Sequence, residues 1–157
     1  MKFWVKTANV NRALECLNYG IFKGIISNPG DVSQENMDPK ILFKDLCGIA
    51  PKVYYQIQDG NVEEMTKEAE KMVEVDPDKM LIKVPATRNG IAVIKKLADQ
   101  GLQVMATAVP TSPCMVFAIA AGAVAIAPYS GMLKSRNIIS KYEGVFAMQE
   151  IIDTQNY

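Results

Sequence analysis

One lysine stands where a lysine is costly. In the run Met80-Leu81-Ile82-Lys83-Val84-Pro85 every other residue is apolar. The composition predicts a strand over 80–84, and alternation puts Leu81 and Lys83 on one face with Met80, Ile82 and Val84 on the other. Burial disfavours an ammonium and lowers its pKa towards neutrality. A neutral amine condenses with a ketone or aldehyde to form a Schiff base. The protonated imine then withdraws electrons from the neighbouring carbon, so that a carbon–carbon bond breaks or forms. That chemistry requires neither a metal nor a histidine, and the chain has no His. A Ser-His-Asp triad, a Cys-His pair and most zinc sites are thereby excluded. On residue type alone a second reading stands beside the first: a strand-end lysine snorkelling to water or paired with a carboxylate.

The remaining chemistry-bearing residues are sparse. Cys16, Cys47 and Cys114 lie 31 and 67 residues apart, without the close pairing of metal or redox motifs. They read as reduced, mostly buried thiols of a cytoplasmic protein. The chain opens MKFWVKTANV, with charges at Lys2 and Lys6 and no secretory apolar core. Lys plus Arg number 17 and Asp plus Glu 17, a balance that argues against nucleic acid or an anionic membrane surface as partner. Only Arg12, Arg88 and Arg136 are arginines, which weakens phosphate-backbone reading further. The most apolar stretch, 115–127, is too short to span a bilayer and reads as a buried helix and strand.

The elements that must position Lys83 follow one repeated pattern. With 157 residues, 49% apolar and 22% charged, the chain suits one globular domain over 1–157. Strands are expected at 3–5, 24–27, 53–57, 80–84, 103–109 and 123–127. Helical spacing lies between them. Residues 10–19 end at Gly20, a ready left-handed cap. Asp38-Pro39 reads as an N-cap followed by proline at the first helical position. Val62, Met65, Ala69, Met72 and Val73 form an apolar stripe after Asn61, and Ile91, Ile94, Leu97 and Ala98 form another that stops at Gly101. Ser112-Pro113 opens a very apolar helix, and 145–152 supplies the last. Six βα units of this kind imply parallel strands. Both an open doubly wound sheet and a (β/α) barrel use that pattern, although a closed eight-unit barrel normally needs at least ~200 residues.

From Lys2 to about Asp153 the sequence resembles the fructose-6-phosphate aldolase and short transaldolase family of class I aldolases. The motifs are Phe3-Trp4-Val5-Lys6-Thr7-Ala8, Gly24-Ile25-Ile26-Ser27-Asn28-Pro29-Gly30, Ile82-Lys83-Val84-Pro85-Ala86-Thr87, Ala106-Thr107-Ala108-Val109 and Ala127-Pro128-Tyr129. The resemblance implies a (β/α) TIM-barrel lineage of about six units lacking the last two, either incomplete or completed by oligomerisation, since strands one and six would otherwise keep unpaired edges. It implies Lys83 as the imine-forming nucleophile, with Gln56, Thr107 and Tyr129 holding a water used for proton transfer. It also implies that Asn28, Ser27, Lys6 and Lys134 contact substrate. Taken singly, each has a bland explanation: a strand-edge amide at 56, a β-former at 107, a rim aromatic at 129, a turn at 28–30.

Four departures from the family pattern bear on activity. A strand-one Asp is replaced by Lys6, and a Thr of the site by Ile26. Met132 and Lys134 follow Tyr129 where the family places an Arg, and the units after the sixth are missing. Lys6 either lowers the Lys83 pKa further, holds a substrate anion, or is a solvated rim lysine. The resemblance implies a cytoplasmic aldolase acting on a small ketose or ketose phosphate, without cofactor or metal. Transaldolase-type transfer of a dihydroxyacetone unit and a non-catalytic, sugar-phosphate-binding homologue are the alternatives. A homo-oligomer is expected, with neither nucleic acid nor membrane as partner.

Overall fold

The computed structural model describes residues 2–131 and 141–155. Strand and helix alternate: β1 (Phe3–Lys6), α1 (Val10–Leu17), β2 (Phe22–Ile26), α2 (Pro29–Ser33), α3 (Pro39–Ile49), β3 (Val53–Gln56), α4 (Val62–Val73) and β4 (Met80–Pro85). They are followed by α5 (Arg88–Asp99), β5 (Val104–Val109), α6 (Ser112–Ala120), β6 (Ala125–Pro128) and α7 (Lys141–Gln155). All six expected strands form, with ends moved by a residue or two. The chain divides into two compact units, Met1–Gln58 with Glu63–Lys83, and Asp59–Val62 with Val84–Tyr157.

In the first unit the strands pair in parallel in chain order, β1 with β2, β2 with β3, β3 with β4. One sheet face is covered by helices. There Phe43 of α3 meets Tyr55 edge-on, ring centroids 4.9 Å apart, and the Tyr55 hydroxyl donates to Glu68 of α4 at 2.7 Å. Leu42, Phe43 and Leu46 of α3 and Met65, Ala69 and Met72 of α4 are buried, the spacing that an amphipathic helix needs. Asp38 accepts from the Lys40 and Ile41 amides and Pro39 opens α3, as the sequence predicts. Gly20 takes φ +72° just past α1, a conformation that is open to glycine without a Cβ clash.

The second unit pairs β5 with β6 in parallel. The chain leaves β4 there, and the Ala86 amide donates to the Thr107 carbonyl at 2.8 Å. Val93, Ile94 and Leu97 of α5, Val104 and Ala106 of β5, and Met115 and Ala118 of α6 are buried. Two sequence expectations need correction here. The buried stripe of α5 runs through Gly90, Val93, Ile94 and Leu97; Ile91 and Ala98 flank it, half-buried. The 115–127 stretch is less buried than its composition implies: Phe117 is 66% and Val124 62% exposed. The reason is positional, since β6 has β5 as its hydrogen-bonded neighbour and every residue of β6 is half-buried. Among the described residues no helix is long and apolar enough to cross a membrane.

All three cysteines are free thiols, but only Cys47 is buried; Cys16 and Cys114 are half-exposed. Burial pushes the Cys47 thiol up to about 11, with Asp76 adding to the effect. It is an inert packing residue at neutral pH.

Candidate functional site

Strand register decides what surrounds Lys83. Gln56 stands opposite Lys83 and Tyr54 opposite Leu81, while Lys6 pairs with Ile26 and Ile26 with Tyr54. Side chains alternate along each strand, so Lys6, Ile26, Tyr54 and Leu81 form one row on the face away from the helices, with Gln56 and Lys83 in the next. Below them Trp4 packs on Tyr54, ring centroids 5.0 Å apart. Ile26, half-buried, lies in the first row, between Lys6 and Tyr54.

Lys83 is only 8% exposed. Its Nζ donates to the Ser27 carbonyl at 3.2 Å. Burial lowers its pKa below the ordinary 10.5; the Asp31 carboxylate opposes the shift and the Lys6 ammonium adds to it. At that exposure the side chain does not snorkel into water, because its amine is spent on a main-chain carbonyl inside the unit.

The other members of the first unit divide by what they touch. Ser27 is buried at 1% exposure and its hydroxyl points to the Tyr54 carbonyl, 3.3 Å away. Its main-chain oxygen is what meets Lys83. Asn28 caps α2: its Oδ1 accepts from the Asp31 amide at 2.9 Å, and its own amide donates to Asp31 Oδ2 at 3.0 Å. This reciprocal capping box opens α2, a short helix that the sequence pattern does not predict, where a turn at 28–30 is the bland alternative to a substrate contact. Gln56 is half-buried and lines a cavity of about 320 Å³ with Pro29, Val32, Tyr55 and Gln58 among others. Lys6 is 62% exposed in its side chain, yet it is not a bare rim lysine. Its Nζ donates to both Asp31 oxygens, at 2.8 and 3.0 Å.

Asp31 escaped sequence reasoning. The signal was present as Asn28-Pro29-x-Asp31, a capping residue, proline at the first helical position and an acidic residue at the third.

In the second unit Thr107 is buried on β5, and its carbonyl takes the Ala86 amide. The register slips between Thr107 and Val109, where Ala108 adopts φ +54°. Such a bulge re-aims its neighbours and is stored strain in a non-glycine residue. Tyr129 follows β6, its amide on the Val109 carbonyl at 2.9 Å and its ring 48% exposed. Met132 and Lys134 lie outside the described residues. Among the described residues no group of three His, Cys, Asp or Glu side chains is placed to hold a metal ion.

Comparison with known proteins bears on family and fold. The sequence model of a family described as Transaldolase/Fructose-6-phosphate aldolase matches residues 3–156. A probable transaldolase of Alkaliphilus metalliredigens is 31% identical over 134 residues, 85% of this chain and 62% of that protein. Another, of Desulfosudis oleivorans, is 29% identical over 98% of this chain and 70% of its own length. The chain thus spans about two thirds of the curated relatives it matches. Among solved structures, one titled "Native KDPGal structure" aligns with TM-score 0.55 at 13% identity, covering 83% of this chain and 63% of that one. A mandelate oxidase variant aligns with TM-score 0.54 at 12% identity, over 80% and 49%. Likenesses this remote speak for the fold alone, an α/β fold of the TIM-barrel lineage.

Proposed function

Because the chain belongs to the transaldolase/fructose-6-phosphate aldolase family, we propose that it performs class I aldol chemistry on a small ketose or ketose phosphate through an imine at Lys83. The observation that carries this reading is the enclosed Lys83 amine, 8% exposed, its Nζ on the Ser27 carbonyl. The amine adds to the substrate ketone, and loss of water leaves a protonated imine. The bond beyond the neighbouring carbon then breaks: its electron pair moves into the imine as an enamine, the hydroxyl on the departing carbon gives up its proton, and an aldehyde leaves. Protonation of the enamine and addition of water release a hydroxyketone and restore the amine.

Proton handling is assigned to a water held by Gln56, Thr107 and Tyr129, on the resemblance of those positions. One amide and two hydroxyls donate and accept, which suits a relay in a chain without His. Asn28 and Ser27 are proposed on the donor side of the substrate, and Lys134 as a point charge for its anionic end. Assembly with further copies and a cytoplasmic location belong to the same proposal; the exposed Phe117, Val124, Tyr142 and Phe146 of the second unit support assembly.

The test is reductive trapping. Incubation with dihydroxyacetone or fructose 6-phosphate and borohydride should leave a covalent mass adduct on the peptide that contains Lys83. A folded protein without adduct would end the aldol reading and leave sugar-phosphate binding. Product analysis separates the two enzymatic outcomes: free hydroxyketone for an aldolase, or, when an aldose acceptor is required, the transfer for which the relatives are named. For the relay, Tyr129→Phe should slow turnover on the order of 10²-fold while trapping proceeds nearly as in the parent. Unchanged turnover removes Tyr129 from the mechanism.

A further inference from the structure

Lys6 and Lys83 project from the same sheet face. An ammonium at position 6 facing the amine would oppose every cationic species formed there, including a protonated imine. The fold does not leave Lys6 in that state. Asp31 takes its charge through both carboxylate oxygens, and Asp31 is itself fixed twice, by the Asn28 amide on Oδ2 and by its own amide on Asn28 Oδ1. Asn28 follows Ser27, whose carbonyl holds Lys83 Nζ. One strand-to-helix corner, residues 27–31, therefore carries both the acceptor for the Lys83 amine and the carboxylate that holds Lys6.

We propose that Asp31 is a positioning residue that neutralises Lys6 and supplies, from α2, the negative charge facing a cation at Lys83. The proposal rests on the reading of Lys83 as the imine-forming residue. The protonated imine is a cation throughout bond cleavage, and a nearby carboxylate favours it over the neutral imine. The electrostatics around Lys83 run the same way, with Asp31 raising its proton affinity and Lys6 lowering it, against the larger effect of burial. The further charged groups on this side are Arg12 of α1 and Glu35 beyond α2. They line the same polar cleft as Lys6 and Asp31, and Glu35 accepts from Asn9 Nδ2 at 3.1 Å.

The two partners should act with opposite sign. Limiting acetic anhydride, with acetylation of the Lys83 peptide quantified by mass spectrometry against pH, reads the protonation midpoint without requiring catalysis. Asp31→Asn should move that midpoint down, and Lys6→Met up, each by about half a pH unit or more. The double variant should return it near the parent, and Asp31→Glu should preserve it, since Glu also closes a capping box. Added salt should shrink both single shifts, because Lys6 is largely exposed. Superimposed profiles for parent, Asp31→Asn and Lys6→Met overturn the proposal. Lys6→Met and Asp31→Glu keep the test decisive if Asp31→Asn folds poorly. Borohydride trapping of the parent is scored separately: shifted midpoints without an adduct defeat the imine reading and leave the charge arrangement standing.

Discussion

Lys83→Met should abolish the borohydride adduct and lower aldol turnover on the order of 10⁴-fold or more, while the protein still folds. Methionine fills the same elongated space but has no nucleophile, so imine formation is lost at its first step. Folding survives because the amine contributes little to stability. Its removal sacrifices one hydrogen bond to the Ser27 carbonyl, of about 1 kcal/mol, and in return removes the cost of enclosing a charge. The sign follows from linkage. The folded-state pKa of Lys83 lies below 10.5, with burial the main cause. Between that pKa and 10.5 the unfolded chain binds more protons than the folded one, so stability rises with pH across the window. Below the folded-state pKa the penalty is fully present. Lys83→Met should flatten that rise, as chemical denaturation at neutral pH and near pH 10 will measure. A variant that retains the adduct, or whose pH dependence matches the parent's, would count against an enclosed reactive amine at this position.

Gly90→Ala should destabilise the protein by at least about 3 kcal/mol, a large loss for one added methyl group. Gly90 is the third residue of α5, and its amide donates to the capping Thr87 hydroxyl at 3.0 Å. A Cβ there would lie 1.8 Å from the Pro85 carbonyl oxygen and 3.2 Å from Thr87 Oγ1. The first obstacle is backbone, so no rotamer change relieves it. Either α5 lifts from the end of β4 or the strand end shifts, two residues beyond Lys83. A loss of activity larger than the unfolded fraction explains would show that the strand end has moved. Gly48→Ala is the matched control. Gly48 lies in α3 with nothing within 4 Å of its would-be Cβ, and there the substitution should stabilise by about 0.5 kcal/mol through helix propensity. Urea midpoints for the two variants should therefore move in opposite directions; a shared direction would contradict this account.

Much of the molecule was legible from local pattern. An apolar strand alternating with an amphipathic helix declares itself in the spacing of side chains, so β1 to β6 and the long helices could be read in order. Asp38-Pro39 and Gly20 are signals whose physics is complete within three or four residues. Reading failed where a short element or a long-range partner mattered. The five-residue α2 carries too few positions for a periodicity, and the segment 28–30 is locally as compatible with a turn as with a helix start, because capping box and turn favour the same residue types. The exposure of Phe117 and Val124 could not be inferred either, because burial depends on what lies beside β6 rather than on how apolar it is.

The linear chain, then, determined the alternation of elements and the chemistry on offer: no histidine, one lysine inside an apolar strand, and a set of motifs shared with a family of aldolases. The tertiary structure decided the state of that lysine. Ser27 lies 56 residues from Lys83 along the chain, and Asp31 lies 25 from Lys6. Contacts at such separations are set by strand register and by the direction in which α2 leaves β2. No local pattern encodes them, because the free energy that places these charges comes from burying the sheet against its helices and from nothing in the charged residues themselves.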